Sequence, residues 1–354
     1  MSRFFSEKYK NLKPYVPGEQ PRDRSYIKLN TNESPFPPSP KAQKYAAEAA
    51  EDLQLYCDPE CTALVEKMAE TKGLKPSQVL FGNGSDETLY LAFLAYCDQD
   101  TPAMFPDITY GFYRVFAESL SIPYVQVPLQ EDFSIRVADY LSAGKTIFIA
   151  NPNAPTGQLL TLSQIETLLQ GNPDNVVVID EAYIDFGGES AVTLLDRYEN
   201  LLVTQTFSKS RSLAGGRLGV IFGSEEMIAD LKAIKYSINP YNVNAVTQAA
   251  GLGALEDEAY TRENCQKIRE NRAFTTERLR SLGFRVADSY ANFVLAAHPR
   301  VSGGELYTKL KARGILVRFF DTDRLRPYVR ITVGTRQEME TLLAAAGEIL
   351  KEAL

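Results

Sequence analysis

The sequence predicts an α/β protein: a large unit on a mostly parallel, seven-stranded sheet with helices on both faces, and a smaller C-terminal α+β unit joined by the N-terminal arm. Three observations carry this. Between residues 78 and 223 seven short apolar runs alternate with helical stretches, and strands apolar throughout belong to a parallel sheet covered on each side. After about residue 250 a long charged helix is followed by four short strands, with further helices among and behind them. A chain of 354 residues is also long for a single core. The expected division is an arm over 1–38, a large unit over 39–245 and a small one over 246–354.

The arm contains "PYVPGEQP" and "NESPFPPSP", whose prolines forbid a long helix or a central strand. Ser39 before Pro40 forms an N-cap with proline at the first helical position, predicting a helix through "KAQKYAAEAAEDLQLY". The predicted strands are "QVLFG" (78–82), "PAMF" (102–105), "PYVQVP" (123–128), "TIFIA" (146–150), "NVVVID" (175–180), "LLVTQT" (201–206) and "LGVIFG" (218–223). Thr161 and Gln164 make a capping box for a helix that stops at Gly171. In the C-terminal part the helix "EAYTRENCQKIRENRAFTTERLRSLG" precedes strands "FRVAD", "NFVLAA", "GILVRFF" and "YVRITVG". A helix lies near 304–313, and Thr335 with Glu338 caps a last one.

Composition excludes several classes. A formal charge of −7 argues against a nucleic-acid coat, so an anionic ligand must be met by a few placed cations. The longest apolar runs are strand-sized, far short of a membrane span, and the first ten residues lack the apolar core of an export signal. Four cysteines and one histidine, His298, fit no zinc spacing and no disulfide framework. The expectation is a cytoplasmic protein with reduced thiols. His298 precedes a proline at a strand exit and reads as a solvated loop residue, so a Ser-His-Asp hydrolase is excluded. Chemistry falls to Lys, Asp, Tyr or a cofactor.

In open α/β sheets ligands bind at the carboxyl ends of the strands. There "IFIA" runs into Asn151 to Gly157, "VVVI" into Asp180, Glu181, Ala182 and Tyr183, and "LVTQ" into Thr206, Phe207, Ser208 and Lys209. "QVLFG" leads to Asn83, Gly84, Ser85 and Asp86, a small-residue turn whose following helix start can hold a phosphate. Singly each feature has an ordinary reading. Asp180 could be a Walker B acid, but no P-loop accompanies it; Gly82 and Gly84 begin a dinucleotide fingerprint but lack its third glycine; "NPNAPTG" could be only a turn.

Together they meet one requirement. A lysine that attacks an aldehyde must be desolvated or stand near a cation, which Arg217 offers. A carboxylate facing a pyridine nitrogen keeps that ring an electron sink. Those are the needs of pyridoxal 5′-phosphate.

The stretch "TFSKSRSLAG" resembles, at all ten positions, the lysine signature of the class II pyridoxal-phosphate-dependent aminotransferases of fold type I. "LNTNESP", "GNGSDE", "TYGFY", "NPNAPTG", "DEAYIDF" and "YVRITVGTR" extend the resemblance, to the histidinol-phosphate branch, over nearly the whole chain. It implies that Lys209 carries the cofactor and shuttles the reaction's proton, that Asp180 pairs with the pyridine nitrogen, and that Asn153 and Tyr183 hydrogen-bond the ring oxygen. It implies Tyr110 stacked on the ring, and Ser85, Asp86, Thr206, Ser208 and Arg217 on the phosphate.

It further implies a homodimer with shared sites, in which Tyr56 reaches the neighbour's cofactor; the family's proline after this tyrosine is replaced by Cys57. Arg318 and Arg330 would grip a substrate phosphate or carboxylate, with Tyr15 closing over it, although a structural ion pair is equally open for either arginine. The implied reaction moves an amino group between L-histidinol phosphate and 2-oxoglutarate. An aromatic aminotransferase, favoured by Phe319 and Phe320, and a threonine-phosphate decarboxylase are the alternatives. A related transcription regulator would need a winged-helix domain, for which the arm leaves no room.

Overall fold

The structure is a computed structural model that describes residues 2–10 and 12–352. The arm contributes β1 (Ile27–Lys28) and leads to α1 (Pro40–Ala49) and α2 (Thr62–Lys72). The large sheet and its helices then run β2 (Val79–Gly82), α3 (Ser85–Tyr96), β3 (Ala103–Pro106), α4 (Phe112–Leu120), β4 (Tyr124–Val127), β5 (Thr146–Ala150), α5 (Leu162–Gln170), β6 (Val177–Asp180), β7 (Leu201–Thr206), β8 (Gly219–Phe222), α6 (Glu225–Ile238) and α7 (Ala245–Leu255). The remainder is α8 (Glu258–Ser281), β9 (Arg285–Val286), β10 (Phe293–Ala297), α9 (Gly303–Ala312), β11 (Ile315–Leu316), β12 (Arg318–Phe319), β13 (Tyr328–Thr332) and α10 (Arg336–Glu352).

All seven expected strands form one sheet in the order β2-β8-β7-β6-β5-β3-β4. Only β8 runs against its neighbours; the other pairings are parallel. Alternation divides the side chains between two cores. Ile147, Ile149, Val177, Ile179 and Val203 face one core, closed by Leu64 and Met68 of α2, Ile165 and Leu168 of α5 and Ala250 and Ala254 of α7. Phe148, Val178, Leu202 and Ile221 face the other, closed by Phe93 of α3, Phe116 of α4 and Leu231 of α6. Phe148 and Phe93 stack at 4.0 Å with no solvent exposure, and burying each such ring contributes roughly 1.5–3 kcal/mol. The edge strand β4 is the one whose residues are largely exposed.

The local signals sit where expected. Ser39 Oγ accepts the Ala42 amide at 3.1 Å, and both capping boxes close, Thr161 with Gln164 and Thr335 with Glu338. The first helix is shorter than its pattern: it stops at Ala49 and continues as a 3-10 turn over Ala50–Asp52.

The small unit is an antiparallel sheet β12-β13-β10-β9. Val294 and Ala296 of β10 and Val329 and Ile331 of β13 face a core made with α8, α9 and α10. The alternate residues, Phe293 and Leu295 of β10 and Arg330 of β13, therefore point the other way, toward the large sheet. The expected strand over 314–320 is divided. Its first half pairs in parallel with β1 of the arm, and its second half pairs with β13. Val317, fully buried, marks the switch between sheets.

His298 is a correction. It is buried rather than solvated, its ring edge-on to Phe284 at 4.9 Å and its Nδ1 accepting the Arg300 amide at 3.2 Å. The chain turns back through a bridge to Val301, and burial holds the imidazole pKa below its ordinary value.

Candidate active site

A cavity of about 620 Å³ lies between the carboxyl edge of the large sheet, the free face of the small sheet and the arm. A deeper pocket of about 100 Å³ continues beneath it, and Tyr110, Ala154, Tyr183 and Lys209 line both. The register explains the depth. Ala150, Asp180 and Thr204 are level across β5, β6 and β7, so the chain leaves three adjacent strands side by side.

The pocket floor is a glycine contact. Gly219 pairs with Thr206 on one side and Gly82 on the other, directly under the start of α3. A Cβ there would be driven into the Gly84 carbonyl carbon and the Ser85 nitrogen, which are backbone atoms that cannot step aside. At Gly84 (φ +81°) a Cβ would sit 2.5 Å from Arg217 Nη2. These glycines let the amino end of α3 meet Arg217 and the hydroxyls of Thr206 and Ser208, a cradle of donors open to an anion. Gly219→Ala should lower the urea midpoint by the equivalent of about 1–3 kcal/mol. Gly215→Ala, where a Cβ meets nothing within 4 Å, should leave it unchanged.

Asp86, in the first turn of α3, accepts from the Tyr110 phenol and from Arg217 Nη2 at 2.8 Å. Asp180, 4% exposed, accepts the Tyr113 phenol at 2.8 Å and the Ala182 amide at 3.2 Å. Burial raises its pKa to about 6 against the pull of both hydrogen bonds.

Lys209 lies in the turn after β7. Phe207, fully buried, and Arg211, paired with Glu258 at 2.7 Å, anchor the turn on either side, and Ser210 donates to Asp185. The lysine itself is left between two small residues, its Nζ donating to Thr31 O at 3.1 Å. Burial first, and then the Arg330 charge, depress its pKa to about 8; Arg217 contributes less. The expected cation, Arg217, acts in this direction, but Arg330 acts more strongly; the Arg217 guanidinium is paired with Asp86.

Arg318 and Arg330 stand directly opposite each other across β12 and β13, an arrangement that costs energy for like charges. Among the described residues neither makes an ion pair. Arg318 donates to the carbonyls of Val16 (3.0 Å) and Pro17 (3.3 Å), Arg330 Nη2 to Asn30 O (3.0 Å), and Arg330 Nε, although buried, has no partner. The nearby Glu19 is taken by Lys311 and Tyr307. Of the two readings open for these arginines, the structural ion pair is not formed among the described residues. Tyr15 closes the opposite wall, stacked on Phe112 at 4.3 Å.

Two expected residues lie elsewhere. Asn153 is buried beside the cavity without lining it, its amide donating to Ile108 O and Thr156 Oγ1 and accepting from Thr109 Oγ1. Tyr56 is 85% exposed and stacks on Tyr241 at 4.6 Å, away from both cavities. Phe320 lines the cavity, whereas Phe319 stacks on Tyr307.

Sequence reasoning missed three participants. Tyr113 reaches Asp180 from α4; Asn32 donates to the Tyr183 phenol at 2.9 Å while Thr332 holds its own oxygen; Arg324 reaches Leu129 O at 2.9 Å across the cavity mouth. Tyr113 and Asn32 lie inside "TYGFY" and "LNTNESP", but nothing in those strings says what they face.

A family model described as "Aminotransferase class I and II" matches residues 24–345. The chain belongs to that family. Among class I and II aminotransferases, it is 47% identical to histidinol-phosphate aminotransferase of Brachyspira hyodysenteriae, over 99% of this chain and 100% of the relative. To the enzyme of that name from Marinomonas sp. it is 49% identical, over 98% and 99%. Histidinol-phosphate aminotransferase from Sinorhizobium meliloti, solved in complex with pyridoxal-5′-phosphate, superposes with a TM-score of 0.91 at 23% identity, covering 100% of this chain and 99% of that one, and shares its fold.

Proposed function

We propose that this aminotransferase binds pyridoxal 5′-phosphate and exchanges an amino group between L-histidinol phosphate and 2-oxoglutarate. The observation that carries the substrate is the pair Arg318 and Arg330. Two facing cations without an acid need a dianion or carboxylate across the cavity from Lys209, and the relatives at 47–49% identity bear the histidinol-phosphate name.

The residues fit the cofactor. The glycine-floored cradle of Ser85, Asp86, Thr206, Ser208 and Arg217 suits its phosphate, and the buried Asp180 suits a protonated ring nitrogen. Bound there, pyridoxal phosphate supplies an electron-poor ring that accepts the electron pair left at the substrate's α carbon. Lys209, its pKa lowered to about 8, becomes a neutral amine at far lower pH than an ordinary lysine and moves the proton at Nζ. Asp86 fixes Tyr110 through the phenol, leaving the ring to form a face of the pocket. Asn32 holds the Tyr183 phenol as a donor toward the pocket. Asn153 could reach a ring oxygen only if its amide left Ile108 and Thr156.

A second copy of the chain completes this reading. Leu53, Leu55, Tyr56, Ile238 and Tyr241 are exposed apolar residues around the Tyr56–Tyr241 stack, which supports a dimer that carries Tyr56 to a neighbouring site. The four free cysteines support a reducing cytoplasm, and no described helix is long and apolar enough to cross a membrane.

Steady-state kinetics with histidinol phosphate, phenylalanine and threonine phosphate test the assignment. Histidinol phosphate is expected to have the highest kcat/KM with 2-oxoglutarate as acceptor. Carbon dioxide release that needs no 2-oxoglutarate would sink it.

A further inference from the structure

Asp180 is held from behind the pocket. The Ala182 amide that binds one of its oxygens comes from the same turn. The phenol that binds the other comes from Tyr113 on α4, a different layer of the molecule. Tyr113 is completely buried, its ring near Phe105 (5.9 Å) and Phe148 (5.8 Å) and edge-on to Tyr110 (5.7 Å). It lines neither cavity.

The other titratable groups around Asp180 are Asp86 on α3, Tyr110 before α4, Tyr183 beyond β6, and Lys209 and Arg217 beyond β7. None of them donates to its carboxylate. Tyr110 and Arg217 are spent on Asp86, Asn32 donates to Tyr183, and Lys209 is turned to Thr31.

We propose that Tyr113 is a positioning residue: its phenol fixes the Asp180 rotamer and keeps the carboxylate ionised, so that a proton shared with the cofactor's ring nitrogen stays on the nitrogen. The proposal rests on the cofactor reading above. A neutral donor suits this task, because it stabilises the carboxylate without adding a cation that would compete with a protonated ring. Burial, with Asp180 next to it, holds the Tyr113 pKa well above its ordinary value, so the phenol remains a donor. Asp180 itself shows the balance, with burial favouring its neutral form and the two hydrogen bonds its charged form.

Tyr113→Phe removes the oxygen and keeps the ring. Pyridoxal phosphate affinity is measured by equilibrium dialysis for wild type, Tyr113→Phe, Asp180→Asn and the double variant, with the absorbance of the bound cofactor followed against pH. Tyr113→Phe is expected to weaken binding about tenfold or more and to move the absorbance titration. In the Asp180→Asn background the same change is expected to do nothing further. Equal losses in both backgrounds, or no loss in either, would overturn the role.

If Tyr113→Phe does not fold, the carbon-13 resonance of the Asp180 carboxyl in the wild-type holoenzyme decides. Ionised at about pH 7 is expected, and protonated there refutes. Wild-type protein that takes up no cofactor at all would remove the reading beneath the proposal and the proposal with it, an outcome distinct from normal uptake with an indifferent Tyr113→Phe.

Discussion

Lys209→Ala protein should come off the column without the visible absorbance of the bound cofactor, and turn over at least about 10⁴-fold more slowly than wild type. The size of the effect follows from the site. Among the residues lining the deeper pocket Lys209 carries the only amine, and no histidine lies there to take over its proton. The variant should also abolish a pH dependence of the apoprotein. The Lys209 amine titrates near 8 when folded, against an ordinary 10.5. Between those values the unfolded chain holds the extra proton, so stability rises with pH across that window and is lowered below it. Chemical denaturation at several pH values reads the slope, which should be smaller in Lys209→Ala. Cofactor uptake by wild type should accelerate as pH rises through about 8, since only the neutral amine attacks. Retained colour and turnover in the variant would refute the assignment.

Arg330→Ala should raise KM for histidinol phosphate by the equivalent of about 2–5 kcal/mol, with a smaller effect on kcat. The guanidinium is half-buried at the cavity wall, its buried Nε has no partner among the described residues, and it faces Arg318 across the sheet, so a bound anion relieves both its desolvation and the repulsion. Removing Arg330 also removes the cation that contributes most to the lowered Lys209 pKa. The pH at which wild type begins to take up cofactor should therefore move upward in Arg330→Ala, and less in Arg217→Ala, whose charge Asp86 compensates. Steady-state kinetics and pH-jump absorbance measure the two effects. An unchanged KM would return Arg330 to a purely structural role.

What could be read from the chain was local or periodic. Seven strands were visible because all but the edge strand β4 are buried on both faces, so their residues are mostly apolar. The capping boxes at Thr161 and Thr335 were visible because their partners lie three residues away. Lys209, Asp180 and Tyr183 were legible because strand ends deliver side chains to a common edge whatever the order of the strands. Tyr110 was named only through resemblance, since one tyrosine among many carries no local mark, whereas Arg318 and Arg330 were marked by a charge set in an apolar strand.

Tertiary structure alone decided which groups face one another. The antiparallel course of β8 puts Gly219 beneath the start of α3, and the β12–β13 register sets Arg318 opposite Arg330. The same packing brings Tyr113 to Asp180 from 67 residues away, buries His298 against Phe284, and occupies the Asn153 amide. Spacing along the chain determines a cap or a strand because the energy that selects it is settled within a few residues. Register and side-chain pairing across layers are selected by the whole core at once, and that sum is nowhere written in any one segment.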